Sequence, residues 1–295
     1  MKEQGGNSML AVMQKELKSY FTSAIGYLFI GIFLLISGIF FSSYNLMQES
    51  GDYISTLSSI TFIFWFIVPI LTMRIMSEEM KNRTDQLLLT SPIDINSIVV
   101  GKFFAAVLVF LIGMVITFIY PLILKTHGTV SMSEIICAYI GFFFLGCSLI
   151  AIGVFISSLT ENQIISAIAT FGAMILLYIL DSIQQSVPST VKSGIIFTVI
   201  LITLICLLIY YYMKNVFVSL LCELAGIIAV VVLYFSYKSA FSGFISKFLG
   251  WFSLNERFQA FSAGILNINS IVYYISFVFV FLFLTVRVLE KRRWN

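Results

Sequence analysis

Few residues in this sequence could do chemistry. Glu78-Glu79-Met80-Lys81-Asn82-Arg83 is the one motif that invites an enzymatic reading, although Glu and Arg at helical spacing also form ordinary i,i+4 ion pairs. His127 is the single histidine, in an expected loop beside Gly128. Without a second His or Cys near it a zinc site has too few ligands. The Gly101-Lys102 pair is followed by Phe103, and Asn96 stands where a phosphate-binding loop needs its first glycine, so the Walker A pattern fails. No GxSxG presents a serine nucleophile. Cys137, Cys147, Cys206 and Cys222 each lie in an apolar run without a CxxC pair and read as small apolar residues. Arg74, Lys102, Asp181 and Arg287 fall near the ends of apolar runs, where they can snorkel. Glu223 differs: it lies about 10 Å into its run at ~1.5 Å per residue, beside Cys222, Ala225 and Gly226. It could line a path or bind a proton, or make an interhelical hydrogen bond.

The elements that carry these residues are membrane helices. Of 295 residues 11% are charged and 60% hydrophobic, against ~25% and ~45–50% in soluble domains. That excludes an ordinary soluble enzyme and a disordered chain. The net charge of +3 is too small to argue for nucleic acid. The apolar stretch after Lys15, Glu16 and Lys18 is too long for a cleavable signal and reads as an anchor.

A helical span needs ~20 mostly apolar residues, and eight stretches qualify: 25–44, 57–76, 99–124, 135–156, 164–180, 194–213, 216–234 and 272–289. Continuous runs favour helices over a barrel. With the N-terminus inside, twelve Lys and Arg fall on the inner side and five, Lys125, Lys192, Lys238, Lys247 and Arg257, on the outer side, as the positive-inside rule requires. Both termini are then cytoplasmic. Ala169 with Ala173, and Gly146 with Gly153, suggest close helix packing.

Three further segments look structured. Over residues 9–21, Leu10, Met13, Leu17, Tyr20 and Phe21 share one helical face and Gln14, Lys15 and Lys18 face away, the period of an interfacial amphipathic helix. Residues 77–97 form the longest inner loop, with a charged helix start, an apolar Leu87-Leu88-Leu89 patch and a stop before Pro92. Residues 236–270, on the outer side, are rich in aromatics, and short helices that dip into the outer interface or cap the bundle are expected there.

Two families share motifs with this chain. The EExxxR hexapeptide resembles the first motif of the CAAX-protease family of intramembrane proteases, which also needs histidines on later membrane helices; this sequence has none there. The wider resemblance is carried by Gln14-Lys15-Glu16-Leu17-Lys18-Ser19-Tyr20-Phe21 before the first span, Ser77-Glu78-Glu79 through Arg83-Thr84 to Leu87-Leu88-Leu89-Thr90-Ser91-Pro92, Ser157 to Gln163, Asn255 to Phe261, and the end from Phe283 to Trp294. Together these resemble the permease subunit of ABC-2 type transporters, close to the gliding-motility and nitrous-oxide-accessory branch, over nearly the whole chain.

The resemblance implies a single all-α polytopic permease domain over 1–295, type V ABC exporter-like, in the cytoplasmic membrane of a prokaryote. The family usually has six spans, so 194–234 looks like an inserted helical pair, and Glu223 within it inherits no family role. ATP and Mg would be held by a separate ATPase subunit; this chain itself is expected to be no enzyme and to carry no cofactor or metal. A second permease copy or a related permease would complete the path. Glu78, Glu79, Arg83, Leu87, Leu88, Thr90 and Pro92 would couple to the ATPase, the leucines as apolar anchor and the charges as orienting contacts. Lys15, Glu16, Leu17 and Tyr20 would belong to an elbow helix bracing the unit. The alternatives are a stand-alone channel or ion-coupled carrier and, more remotely, an intramembrane protease.

Overall fold

The computed structural model describes residues 2–84, 93–128, 130–187, 190–236 and 241–294. In chain order its helices are α1 (Lys2–Thr22), α2 (Ala24–Phe41), α3 (Tyr53–Ile60), α4 (Phe64–Thr72), α5 (Ser77–Lys81), α6 (Ile95–Thr117) and α7 (Ile119–His127). They continue with α8 (Met132–Leu159), α9 (Gln163–Ser186), α10 (Val191–Met213), α11 (Val216–Ser236), α12 (Phe244–Gly250), α13 (Leu254–Ser262) and α14 (Ile268–Trp294). The described residues contain no strand. Among them seven helical stretches are long and apolar enough to cross a membrane. The eighth expected span, 216–234, is helical as α11, with a shorter apolar stretch over Val216–Ile228. The architecture is that of an all-α polytopic membrane protein.

Two expected spans are interrupted. The stretch 57–76 consists of α3, a 3₁₀ turn over Thr61–Ile63, α4, and a break over 73–76 before α5. The stretch 99–124 divides at Phe118 into α6 and α7. There Pro121 has no N–H to offer the Thr117 carbonyl. α2 ends in a π-helical turn over Ser42–Leu46 that turns Asn45 inward. Its amide donates to the Ser50 carbonyl (2.9 Å) and accepts from Thr56 Oγ1 (2.7 Å).

The chain divides into two compact units, residues 1–176 with 254–295, and residues 177–253. In the first unit α8 is the axis: 78% of its apolar window is buried, against 17% for α14. Phe33, Phe64, Phe110 and Phe142, from α2, α4, α6 and α8, form a fully buried aromatic cluster. Its ring centroids lie 4.7–6.3 Å apart, the separation at which aromatic pairs add stability beyond their area. Glycines let neighbours reach the α8 backbone. A Cβ on Gly146 would sit 2.5 Å from Phe110, and one on Gly141 2.5 Å from Phe261 of α13. Ala169 is exposed, so the expected Ala169–Ala173 seam does not form within the unit; α9 buries Ser166, Thr170 and Met174 instead, a period of four.

In the second unit α10 and α11 form a hairpin that turns at Lys214 (φ 50°) and Asn215. The Asn215 side chain accepts the Phe217 N–H (3.1 Å). Ser219 Oγ donates to the Cys206 carbonyl (2.9 Å), and Gly226 gives Ile202 room to pack. α12 packs Phe248 against Phe197 of α10, the rings tilted at 59° with centroids 5.6 Å apart.

Gly153 supplies a direct test. A Cβ there would lie 2.2 Å from Thr72 Oγ1, whereas one on Gly172 meets nothing within 4 Å. Overpacking costs about 1–3 kcal/mol. Thermal unfolding in detergent should show Gly153→Ala losing stability of that order and Gly172→Ala losing none.

Candidate functional site

The densest polar cluster lies at the end of the first unit where α1, α5, the start of α6 and the last turn of α8 meet. α1 packs along α6. The close approach depends on Gly101, whose Cβ would lie 2.9 Å from the Met9 carbonyl and 3.1 Å from Val12. α1 runs well beyond the expected 9–21 and turns Val12, Glu16 and Tyr20 inward, leaving Leu10 45% exposed. Of the expected apolar face, Tyr20 turns inward, and Leu10, Met13, Leu17 and Phe21 form a flank of the helix. The buried face was masked in the sequence because it carries a charge.

Lys102 is the centre of the cluster. Its side chain is 1% exposed, so it does not snorkel to water as its place near a span end suggested. The ammonium donates to Glu16 Oε1 (2.9 Å) and to the Ile75 carbonyl (2.8 Å), and pairs with Glu79 Oε2 (2.9 Å). Glu79 also accepts from Lys15 Nζ through Oε1 (3.0 Å), and Lys15 lies 3.8 Å from Glu16. Burial pulls the Lys15 ammonium down, but the hydrogen bond to Glu79 and the charges of Glu79 and Glu16 outweigh it and hold its pKa above 10.5. A raised ammonium stabilises the fold below its ordinary pKa, and the contribution is lost as pH rises through the higher folded value.

The break between α4 and α5 has an unusual hydrogen-bond account. In a continuous helix the carbonyls of Leu71, Met73 and Ile75 take the N–H groups four residues on. Here Tyr20 OH donates to the Leu71 carbonyl (2.8 Å), Ser157 Oγ donates to that of Met73 (3.3 Å), and Lys102 holds that of Ile75. Ser77 Oγ also donates to the Met73 carbonyl. The N–H groups of Met76 and Ser77 donate to Ser157 Oγ (3.1 and 3.2 Å). Ser157 is fully buried. Tyr20 is a neutral donor, because burial pushes its phenol well above the ordinary range.

The sequence-expected residues divide accordingly. Glu78 pairs with Arg74 on its N-terminal side, Nε donating to Oε2 (2.7 Å). Glu79 faces the cluster, so the expected Glu79–Arg83 pair gives way to Lys15 and Lys102. Arg83 lies past the end of α5 in the left-handed region (φ 56°). There its N–H bonds the Met80 carbonyl (3.2 Å) and the Thr84 N–H that of Glu79 (3.0 Å), a Schellman termination. Its side chain is exposed. Leu17 is half-buried. Leu87, Leu88, Thr90 and Pro92 lie outside the described residues. His127 ends α7, its Nδ1 within 3.0 Å of the Ile123 carbonyl. Glu223 is half-buried in α11, beside Cys206 and Cys222. Sequence reasoning missed Ser157 and the role of Lys102. The signals were a lysine placed directly after a glycine in an apolar run, and a serine pair four residues after Gly153.

Comparison with known proteins finds no family model that matches this chain and no curated protein that matches it.

Removing one member of a buried ion group strands the others, at about 3–5 kcal/mol. Lys102→Met should therefore lower the thermal midpoint in detergent sharply. The triple variant Lys102→Met/Glu16→Gln/Glu79→Gln, which leaves no buried charge unpaired among the three, should recover most of the loss.

Proposed function

We propose that this chain is the permease subunit of an ABC-2 type transporter, driven by a separate ATPase that carries ATP and Mg. The observation that carries the reading is the tying of α1 and α5 into the bundle by Lys102: Glu16 on one and Glu79 on the other share a single buried ammonium. A push on the loop that follows α5 is thereby delivered to α6 and α1 together. In this reading residues 85–92, with Leu87, Leu88, Thr90 and Pro92, seat on the ATPase. Glu78 and Arg83 face the seat, and Glu79 anchors α5 from within. The cluster then lies at the cytoplasmic face of a prokaryotic membrane, and export is the direction of transport.

The three faces of α1 suit an elbow helix. Val12, Glu16 and Tyr20 face protein, Leu10, Met13, Leu17 and Phe21 form an apolar flank toward lipid, and exposed Lys18 faces the headgroups while Lys15 reaches back to Glu79. A second permease copy, or a related permease, completes the path.

Purification of the full chain from its native membrane is expected to bring a nucleotide-binding subunit with it. Leu87→Glu/Leu88→Glu should abolish coupled ATP hydrolysis in the reconstituted complex while leaving the chain folded. A purified complex that never contains a nucleotide-binding subunit would contradict the reading.

A further inference from the structure

The break over 73–76 is held open from outside. Three side chains on three other helices, Tyr20 of α1, Lys102 of α6 and Ser157 of α8, take the places that backbone N–H groups hold in a continuous helix. Its sequence, Met73-Arg74-Ile75-Met76, contains neither Gly nor Pro, the usual causes of a sharp kink. Nothing local forbids a continuous helix from α4 through α5.

We propose that this break is a two-position joint. In the bent form the carbonyls of Leu71, Met73 and Ile75 are held by Tyr20, Ser157 and Lys102. In the straight form the same carbonyls take the N–H groups of Ile75, Ser77 and Glu79.

The exchange leaves each of the carbonyls concerned with a donor. The Ile75 N–H, now on the Thr72 carbonyl (3.2 Å), moves to that of Leu71. The Thr72 carbonyl is thereby freed for the N–H of Met76, which leaves Ser157 together with that of Ser77. The released side chains also have acceptors. Ser157 Oγ can turn back to its own helix at the Gly153 carbonyl, the usual i−4 bond of a helical serine. Tyr20 lines a small open cleft with Ser19, Ser23, Arg74 and Glu78, which has the polar partners to hold a water against its hydroxyl. Lys102 keeps Glu16, and Glu79 swings with α5. The backbone carbonyls stay paired in both forms while the buried ammonium alone loses partners, so the two positions are discrete and the bent one is the major one.

The proposal rests on the permease reading only for its use, namely how motion of the loop after α5 reaches the second span. The joint itself is tested on the chain alone. Nitroxide labels at Lys81 and Leu159, both exposed, report the α5-to-α8 distance by double electron–electron resonance. The full chain is used in lipid nanodiscs, with its four native cysteines replaced. The wild-type background should show one main and one minor distance. Ser157→Ala, Tyr20→Phe and Lys102→Met each remove one clamp, and each should raise the minor population about fivefold, the weight of one net hydrogen bond. Tyr20→Phe removes a single oxygen and carries the prediction if the other two variants do not fold. A single distance, unchanged in Tyr20→Phe and in every other variant that folds, overturns the joint. Because no ATPase enters the measurement, that result leaves the permease reading standing. Absence of a partner ATPase would likewise leave the joint standing.

Discussion

A fully buried ammonium constrains everything packed around it. Removing Lys102 from water carries a desolvation cost of several kcal/mol that only close, well-directed partners offset. Those partners come from three places in the chain: Glu16 on α1, Glu79 on α5 and the Ile75 carbonyl in the break before α5. Each one that moves away leaves the charge with fewer partners in an apolar surround, so the arrangement in which all three meet is the favoured one. The packing of α1 on α6 at Gly101, the end of α4 and the seat of α5 therefore share one electrostatic condition. Such a pair is weak support for net stability, since an apolar replacement can be as good. Its value lies in specifying which elements meet, and at what register.

The same end of the molecule solves a backbone problem. A break in a helix frees carbonyl and N–H groups that cannot stay unpaired inside a protein. Ser157, with two N–H groups donating to its oxygen and its own proton on the Met73 carbonyl, serves both sides of the break. Gly153, one turn earlier on α8, admits Thr72 at the point where α4 ends. At the opposite end of the same bundle a different polar chain does comparable work. Tyr53, Tyr139 and Thr117 link α3, α8 and α6 through hydroxyls 2.9 and 3.3 Å apart. The aromatic cluster of Phe33, Phe64, Phe110 and Phe142 joins α2 and α4 to the same α6 and α8.

Much of this was legible in the sequence, and the rest was hidden for definite reasons. Long apolar runs set the membrane helices, and the turn at Lys214-Asn215 falls where only those two residues break the pattern. Pro121 marks a discontinuity in the third run. The break over 73–76 leaves no local mark, because its causes, Tyr20, Lys102 and Ser157, are remote in the chain. Apolar periodicity also misplaced the buried face of α1: Val12, Glu16 and Tyr20 recur every four residues, but the middle one is a carboxylate. Lys102 resembled a snorkelling residue because its reach to Glu16 and Glu79 depends on how three helices come together. The adjacent pair Glu78 and Glu79 looked equivalent. The helix turns them apart, one to Arg74 and the other to two lysines.

The central claim is that Lys102 holds α1 and α5 to α6 in the main, bent form. Hydrogen exchange followed by mass spectrometry on the full chain in nanodiscs, wild type against Lys102→Met, addresses it most directly. The account predicts faster exchange in α1 and α5 together, with the middle of α8 and α14 unchanged. Unaltered exchange in α1 and α5, or an equal rise in every helix, would contradict it.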